Sequence, residues 1–359
     1  MSILWFSNET PSRDGQGGQR RQFFQIEALL EDGHEVQVIS LAGDQEDSSL
    51  RELAPVHRAN FWWKGRPVAV RGMVSTAQLV RSRRWGGVVV AHSESWPVGK
   101  RLAALARAPV FVDLHNVHSA WYREAGDFEA AAAYQELERD LIRTAQVVSV
   151  CTPRDVEKLH AVPGAEGAEI VVMGHGIDPL EWATPPSAPS VPIKMFGNWD
   201  WGPNEAGLRW FLHDVWPLLR QADHDLTCEI AGNPGGFHDL PDGVRMVGRV
   251  PSVGAFLSSA AVVGVPVQGG VGAPVKYAEA LASGVPVVAT TEAAHGLAVR
   301  GPLVSDDPEE WAKWVTDVVR APLAPRAAAT RTRAMVLSEV TWYAQTEPLR
   351  NWARSVDDR

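Results

Sequence analysis

Short apolar runs alternate with helix-period segments along this chain, and the alternation stops once and then begins again. Ile3–Asn8 reads as a buried strand. Phe23, Ile26 and Leu30 follow at helical spacing, with Gly33 placed to end that helix. Glu35–Ser40, Val88–Ala91, Val110–Leu114 and Val147–Val150 are further strands, with a helix over Glu129–Arg143. The stretch Ala183-Thr184-Pro185-Pro186-Ser187-Ala188-Pro189-Ser190 has neither period and reads as an extended linker. Beyond it come strands at Ile193–Phe196, Thr227–Ala231, Val244–Val247, Ala261–Val267 and Val285–Ala289, with helices from Asn204 and around Tyr277–Ala282. Strands alternating with helices pair in parallel, so two similar α/β halves joined near residue 187 are expected. Trp342, Thr346, Leu349 and Ala353 recur at helical spacing near the end. That helix either caps the second half or crosses back onto the first.

Charge and cysteine usage narrow the function. The 359 residues carry 34 basic and 43 acidic side chains, a net charge of −9, which argues against a chain that mainly neutralises nucleic-acid phosphates. Cys151 and Cys228 lie far apart and match no metal spacing, which implies a reducing, cytoplasmic setting. The start, Met1-Ser2-Ile3-Leu4-Trp5-Phe6, lacks a secretory leader's pattern, and no apolar run reaches the roughly 18 residues of a membrane span. Tryptophan, at 15, outnumbers phenylalanine at 10 and tyrosine at 4. Indoles fill cores, and their flat faces also suit sugar rings.

Two glycine loops precede helices. In the first, Gly15-Gln16-Gly17-Gly18-Gln19-Arg20, Arg20 stands where a dinucleotide fingerprint needs its third glycine, and no acid ends the second strand at Ser40. NAD binding is therefore not expected, although Gly17 and Gly18 would let backbone approach a ligand at a helix N-terminus. The second, Gln268-Gly269-Gly270-Val271-Gly272-Ala273-Pro274, follows a buried strand, where open α/β sheets bind phosphates. Lys276 and Glu279 share one face of the following helix. The lysine suits phosphate charge and the glutamate suits ribose hydroxyls; an ordinary exposed ion pair is the plainer alternative.

Four stretches in order carry a resemblance: Gly197-Asn198-Trp199-Asp200-Trp201-Gly202-Pro203-Asn204, Gly248-Arg249-Val250-Pro251, Gly269 through Ala280, and Ala282-Ser283-Gly284-Val285-Pro286-Val287-Val288-Ala289-Thr290. They resemble the donor-binding half of glycosyltransferase family 4 enzymes, and the look is nearest to exopolysaccharide-type sugar transferases. The first half agrees more loosely through Gly17-Gly18, Gly33-His34-Glu35-Val36, Asp113-Leu114-His115-Asn116 and Gly174-His175-Gly176-Ile177-Asp178. The resemblance implies a GT-B fold of two Rossmann-like α/β domains. These are an acceptor-side domain over 1–183, a linker over 184–192 and a nucleotide-sugar domain over 193–340, with 341–359 returning to the first. It implies a retaining, metal-independent glycosyltransferase with no cofactor beyond its nucleotide-sugar donor. The acceptor is a sugar, a lipid-linked group or a small molecule; nucleic acid is not a partner, and membrane contact is at most peripheral. Glu279 would hold the donor ribose, the turn with Gly270, Gly272 and Ala273 would lie against the diphosphate and sugar, and Arg249-Val250 would border the base. Gly17 and Gly18 would face the diphosphate.

The chain departs from the family pattern at three positions. The first of the family's paired glutamates maps onto Val271, and its phosphate-binding Arg and Lys map onto Asn198 and Asn204. The diphosphate would then lean on the helix N-terminus, Lys276 and Arg249. His115, at a strand end, is the candidate catalytic residue, orienting a sugar hydroxyl. His118, His175 and a His92/Glu94 pair are weaker candidates. A metal site from Asp113, His115 and His118 is not expected, because His-x-x-His at a strand end does not set two imidazoles on one face. Trp62-Trp63 and Trp121-Tyr122 would line an acceptor site or fill the core. A sugar-nucleotide epimerase or phosphorylase, or a non-catalytic nucleotide-sugar binding module, are the alternative readings.

Overall fold

A computed structural model describes residues 1–41, 48–59, 70–164, 166–189, 191–269 and 275–357. Trp62, Trp63, Gly270, Val271, Gly272 and Ala273 lie outside them. The chain divides into two compact units, Met1–His175 with Trp342–Arg359, and Gly176–Thr341.

The first unit holds seven parallel strands: β1 (Ser2–Ser7), β2 (Glu35–Leu41), β3 (Val56–Ala59), β4 (Gly87–Ala91), β5 (Val110–Asp113), β6 (Val147–Val150) and β7 (Glu169–Val172), in the order β3-β2-β1-β4-β5-β6-β7. Ile3 to Phe6 in β1 and Val88 to Ala91 in β4 are wholly buried, as continuous apolar runs in a sheet covered on both faces must be. The helix Gly17–Glu31 ends where expected. Gly33 takes φ +82°, its N–H reaches Leu30 O at 2.9 Å, and His34 N–H reaches Leu29 O at 3.0 Å.

The second unit has six parallel strands: β8 (Val191–Asn198), β9 (Cys228–Asn233), β10 (Val244–Gly248), β11 (Ala260–Val265), β12 (Val287–Ala289) and β13 (Leu303–Val304), in the order β10-β9-β8-β11-β12-β13. In each sheet the strand order reverses once, between β1 and β4 and between β8 and β11. A crevice opens outside the carboxyl ends of strands at such a switch point.

Several sequence boundaries shift. The first unit ends at His175 because Ile177 N–H donates to Val340 O at 2.8 Å and Trp182 packs with Leu257 and Tyr277, all in the second unit. The linker over 184–192 is shorter at its far end, since β8 already pairs with β11 at Val191. Trp342–Gln345 and Glu347–Asp357 are helical and pack in the first unit, where Trp342, Leu349 and Trp352 join Ile3, Trp5 and Phe111 in one core. Trp5, Trp96, Trp199, Trp216 and Trp311 are fully buried, so core packing accounts for much of the tryptophan excess, whereas Trp121 and Trp201 are exposed. Among the described residues no helix is long and apolar enough to cross a membrane.

Candidate active site

Each unit gathers polar side chains at its own switch point. In the first, β1 leads into Glu9, β4 into His92 and β5 into His115. His92 Nε2 lies 2.6 Å from Glu9 Oε1, and the His92 and His115 rings meet with centroids 3.7 Å apart and planes tilted by 52°. Gln22, on the helix after the glycine loop, brings its amide nitrogen to 2.8 Å from Glu9 Oε1 and 3.0 Å from His92 Nε2. Its amide oxygen accepts from Trp5 Nε1 at 3.3 Å, which sets the amide's orientation. Gly18 closes the cluster. A Cβ there would stand 2.9 Å from His115 Nδ1 and 3.0 Å from Glu9 Oε1, so this position tolerates no side chain without displacement. His92 itself adopts φ +67°, a left-handed conformation that costs a non-glycine residue about 1–3 kcal/mol.

Beneath the cluster lies a buried ion pair. Arg21 donates to Asp113 from Nε and Nη2 at 2.9 and 2.8 Å, and to the Met173 and Gly174 carbonyls at 2.7 and 2.8 Å. Gln25 and Ser149 also donate to Asp113, at 2.9 and 2.6 Å. Both charged groups are fully buried, so removing either partner would strand a charge, at a cost of about 3–5 kcal/mol. Burial raises the Asp113 carboxyl, but the Arg21 charge outweighs it and holds the group well below its usual range. His115 Nε2 faces Asp113 Oδ2 at 3.1 Å. Burial still dominates there and, with the neighbouring His92, pushes the His115 imidazole down to about 4, so it is neutral at pH 7. For Glu9, burial acts upward but the hydrogen bond and charge of His92 win and lower it.

His92 and Glu94, weaker candidates in the sequence, take different partners. His92 turns to Glu9, and Glu94 Oε1 lies 3.5 Å from His118 Nε2. His118 Nδ1 meets Ser93 Oγ at 2.8 Å, with the Tyr134 ring 4.9 Å away and Trp121 5.7 Å away. His175 is held well below its usual value by burial and sits 3.7 Å from Cys151 Sγ. Glu9, Arg21 and Gln22 went unread in the sequence. The signal for Glu9 was its place just past the first strand, and for Arg21 and Gln25 their four-residue spacing on one helix face.

In the second unit, Gly197 near the end of β8 lies so close to Lys276 that a Cβ would meet Lys276 Cε at 3.0 Å and Asn204 Nδ2 at 3.4 Å. Lys276 Nζ lies 5.6 Å above the exposed Trp201 ring. Burial lowers the Lys276 ammonium, and Glu279, three residues on, offsets this in part. Asn204 is buried and donates to Asn198 O at 2.8 Å, while its Oδ1 has no hydrogen-bond partner among the described residues. Asn198 is exposed and accepts from Asp200 N–H at 3.3 Å. Arg249 is exposed beside the half-buried Val250, just after Gly248 at φ +72°. Lys276, Asn204 and Asn198 thus come together at the β8/β11 switch point. A separate surface pocket lined by Arg209, His213, Phe237 and His238 holds none of the expected residues.

Two family models match the chain. A "Glycosyl transferase 4-like domain" covers residues 17–176 and "Glycosyl transferases group 1" covers 193–320. No curated protein matches the sequence significantly. Among solved structures, sucrose-phosphate synthase from Thermosynechococcus elongatus aligns with a TM-score of 0.72 at 16% identity, covering 99% of each chain. HepE from Anabaena, solved with UDP and glucose, aligns at 0.68 and 16% identity, over 99% of this chain and 100% of that one. A TarM variant from S. aureus, in complex with fondaparinux, alpha-GlcNAc-glycerol and UDP, aligns at 0.72 and 10% identity, over 98% and 100%. At such identities the likeness speaks to the fold. Two parallel-sheet Rossmann-like domains, matched in chain order by the two models, identify the chain as a group 1 glycosyl transferase of the GT-B fold.

Proposed function

We propose that this chain is a retaining glycosyltransferase that moves a sugar from a nucleoside-diphosphate sugar to an acceptor hydroxyl, with no metal ion required for the transfer. The observation that carries the reading is the group at the β8/β11 switch point. There Lys276 is held against Gly197 and buried Asn204, with Glu279 one turn along the same helix. A half-buried lysine supplies charge to a diphosphate, Glu279 accepts from ribose hydroxyls, and Asn204 adds a buried amide where the family carries a cation. Gly270, Gly272 and Ala273 would complete the diphosphate cradle, and Arg249 with Val250 would border the base. His115, neutral at pH 7, orients a sugar hydroxyl by hydrogen bonding and carries no charge of its own to the reaction.

HepE has been solved with UDP and with UDP-glucose, which puts uridine first among donor bases to test. Thermal stabilisation by UDP, GDP, dTDP, ADP and CMP discriminates among them. A nucleotide at about 100 times its dissociation constant stabilises the folded chain by about 2.7 kcal/mol. One nucleotide is expected to give such a shift, lost in Glu279→Ala. No shift with any of them at millimolar concentration would defeat the donor assignment. With the donor found, the anomeric configuration of the product, read by NMR from a reaction run in EDTA, decides retention. A β-linked product from an α-linked donor, or no product without metal, would overturn that part.

A further inference from the structure

We propose that Glu9, His92 and His115 form a binding site for a divalent transition-metal ion of the zinc type. Each offers one ligand atom, and these atoms lie within 4.8 Å of one another, so rotations of their side chains suffice to bring them onto a single ion. Two imidazoles and a carboxylate are a donor set that suits Zn2+ and Co2+.

Three further observations point to a cation at this place. First, the Gln22 amide is turned by Trp5 so that its nitrogen faces both Glu9 and His92. His92 Nε2 and Glu9 Oε1 stand 2.6 Å apart, so the carboxylate already faces the imidazole nitrogen on which a cation would replace the proton. Second, Asp113 faces His115 Nε2, leaving Nδ1 as the metal-directed nitrogen. A carboxylate behind a ligating imidazole is the usual outer-shell arrangement. Third, the absent side chain of Gly18 leaves a gap beside His115 Nδ1, Glu9 Oε1 and His92 Cε1, which a Cβ at that position would crowd at 2.9, 3.0 and 3.2 Å. The strained backbone of His92 holds its ring toward that position. The positive end of the helix Gly17–Glu31 opposes a bare cation, and the Glu9 carboxylate counters it.

The site goes beyond the transferase reading. An ion held there occupies His115, so zinc would act as an inhibitor of transfer and not as a cofactor.

The test is a titration of the full chain, stripped with chelator, with Co2+ followed by its visible absorption and with Zn2+ by calorimetry. The expected result is saturable binding of one equivalent. His92→Asn and Glu9→Gln should each weaken it at least tenfold. Gly18→Ala, whose methyl group crowds His115 Nδ1 and Glu9 Oε1, should also weaken it. The exposed group Asp223, His224 and Asp225 is the other candidate among the described residues, and His224→Asn should change nothing. Absence of a ligand-field spectrum in the native chain would overturn the proposal, as would binding that survives His92→Asn or disappears in His224→Asn. Binding needs no nucleotide. Cobalt binding without any nucleotide shift would defeat the transferase reading alone, and the converse would defeat the metal site alone.

Discussion

At the scale of single residues, His115 shows how far burial can move a group away from the chemistry its type suggests. An unfolded histidine titrates near 6.5 and folded His115 near 4. Between those values the unfolded chain binds more protons, so stability falls as pH drops from 6.5 toward 4. This one group accounts for at most about 3 kcal/mol of that loss. His175 and His118 are also lowered by burial and add losses of the same sign. Asp113, held well below its usual range, loses its contribution only at lower pH, when its unfolded counterpart protonates near 3.9. Denaturant titrations at pH 7 and pH 4.5 should therefore show a smaller acid loss in His115→Asn than in the native chain. Equal losses would mean that His115 is not buried neutral.

At the scale of elements, glycines set how closely helices approach the strand ends that carry the proposed donor group. Gly207, in the helix Gly202–Trp210, faces the segment after β11 so closely that a Cβ would stand 1.3 Å from Pro266 O. That helix also receives a hydrogen bond from Gln268 N–H to Pro203 O at 3.0 Å. Gly207→Ala must displace either the helix or the stretch leading into the glycine turn, at about 1–3 kcal/mol. It should also weaken nucleotide stabilisation. Gly202→Ala, which meets nothing within 4 Å, serves as the control. A Gly207→Ala chain with native stability and native nucleotide response would show that this close approach does not shape the proposed donor site. The same scale explains what the sequence revealed of the elements. β1, β4 and β11 were legible because strands buried on both faces are written as continuous apolar runs. β3, β7 and β13 were not, being short, partly exposed edge segments whose pairing comes from the neighbouring strand.

For the whole molecule, the last residues belong to the first unit although more than 300 residues separate them from its opening strand. Trp352 packs against Gly87, where a Cβ would meet its ring at 2.6 Å, and lies 5.4 Å from the Phe111 ring. Its Nε1–H donates to Gln146 Oε1 at 3.1 Å. Arg350 pairs with Asp32 at 3.2 Å, and the Met1 amino group with Asp357 at the same distance. Trp352→Ala should cost about 3–5 kcal/mol in chemical denaturation. A loss under about 1 kcal/mol would show that the C-terminal helix is not part of that core.

The amino-acid sequence by itself determined the α/β alternation, the glycine loops, Lys276 with Glu279 on one helix face, and His115 at a strand end. Each is a local pattern, set by period or by spacing within a few residues. Tertiary structure alone decided that Glu9, Gln22, His92 and His115 share one cluster, that His92 turns to Glu9 and not Glu94, and that Asn204 is buried beside Lys276. These groups meet because strand order reverses between β1 and β4 and between β8 and β11. Strand order comes from the packing of whole sheets, and no local window of the chain encodes it.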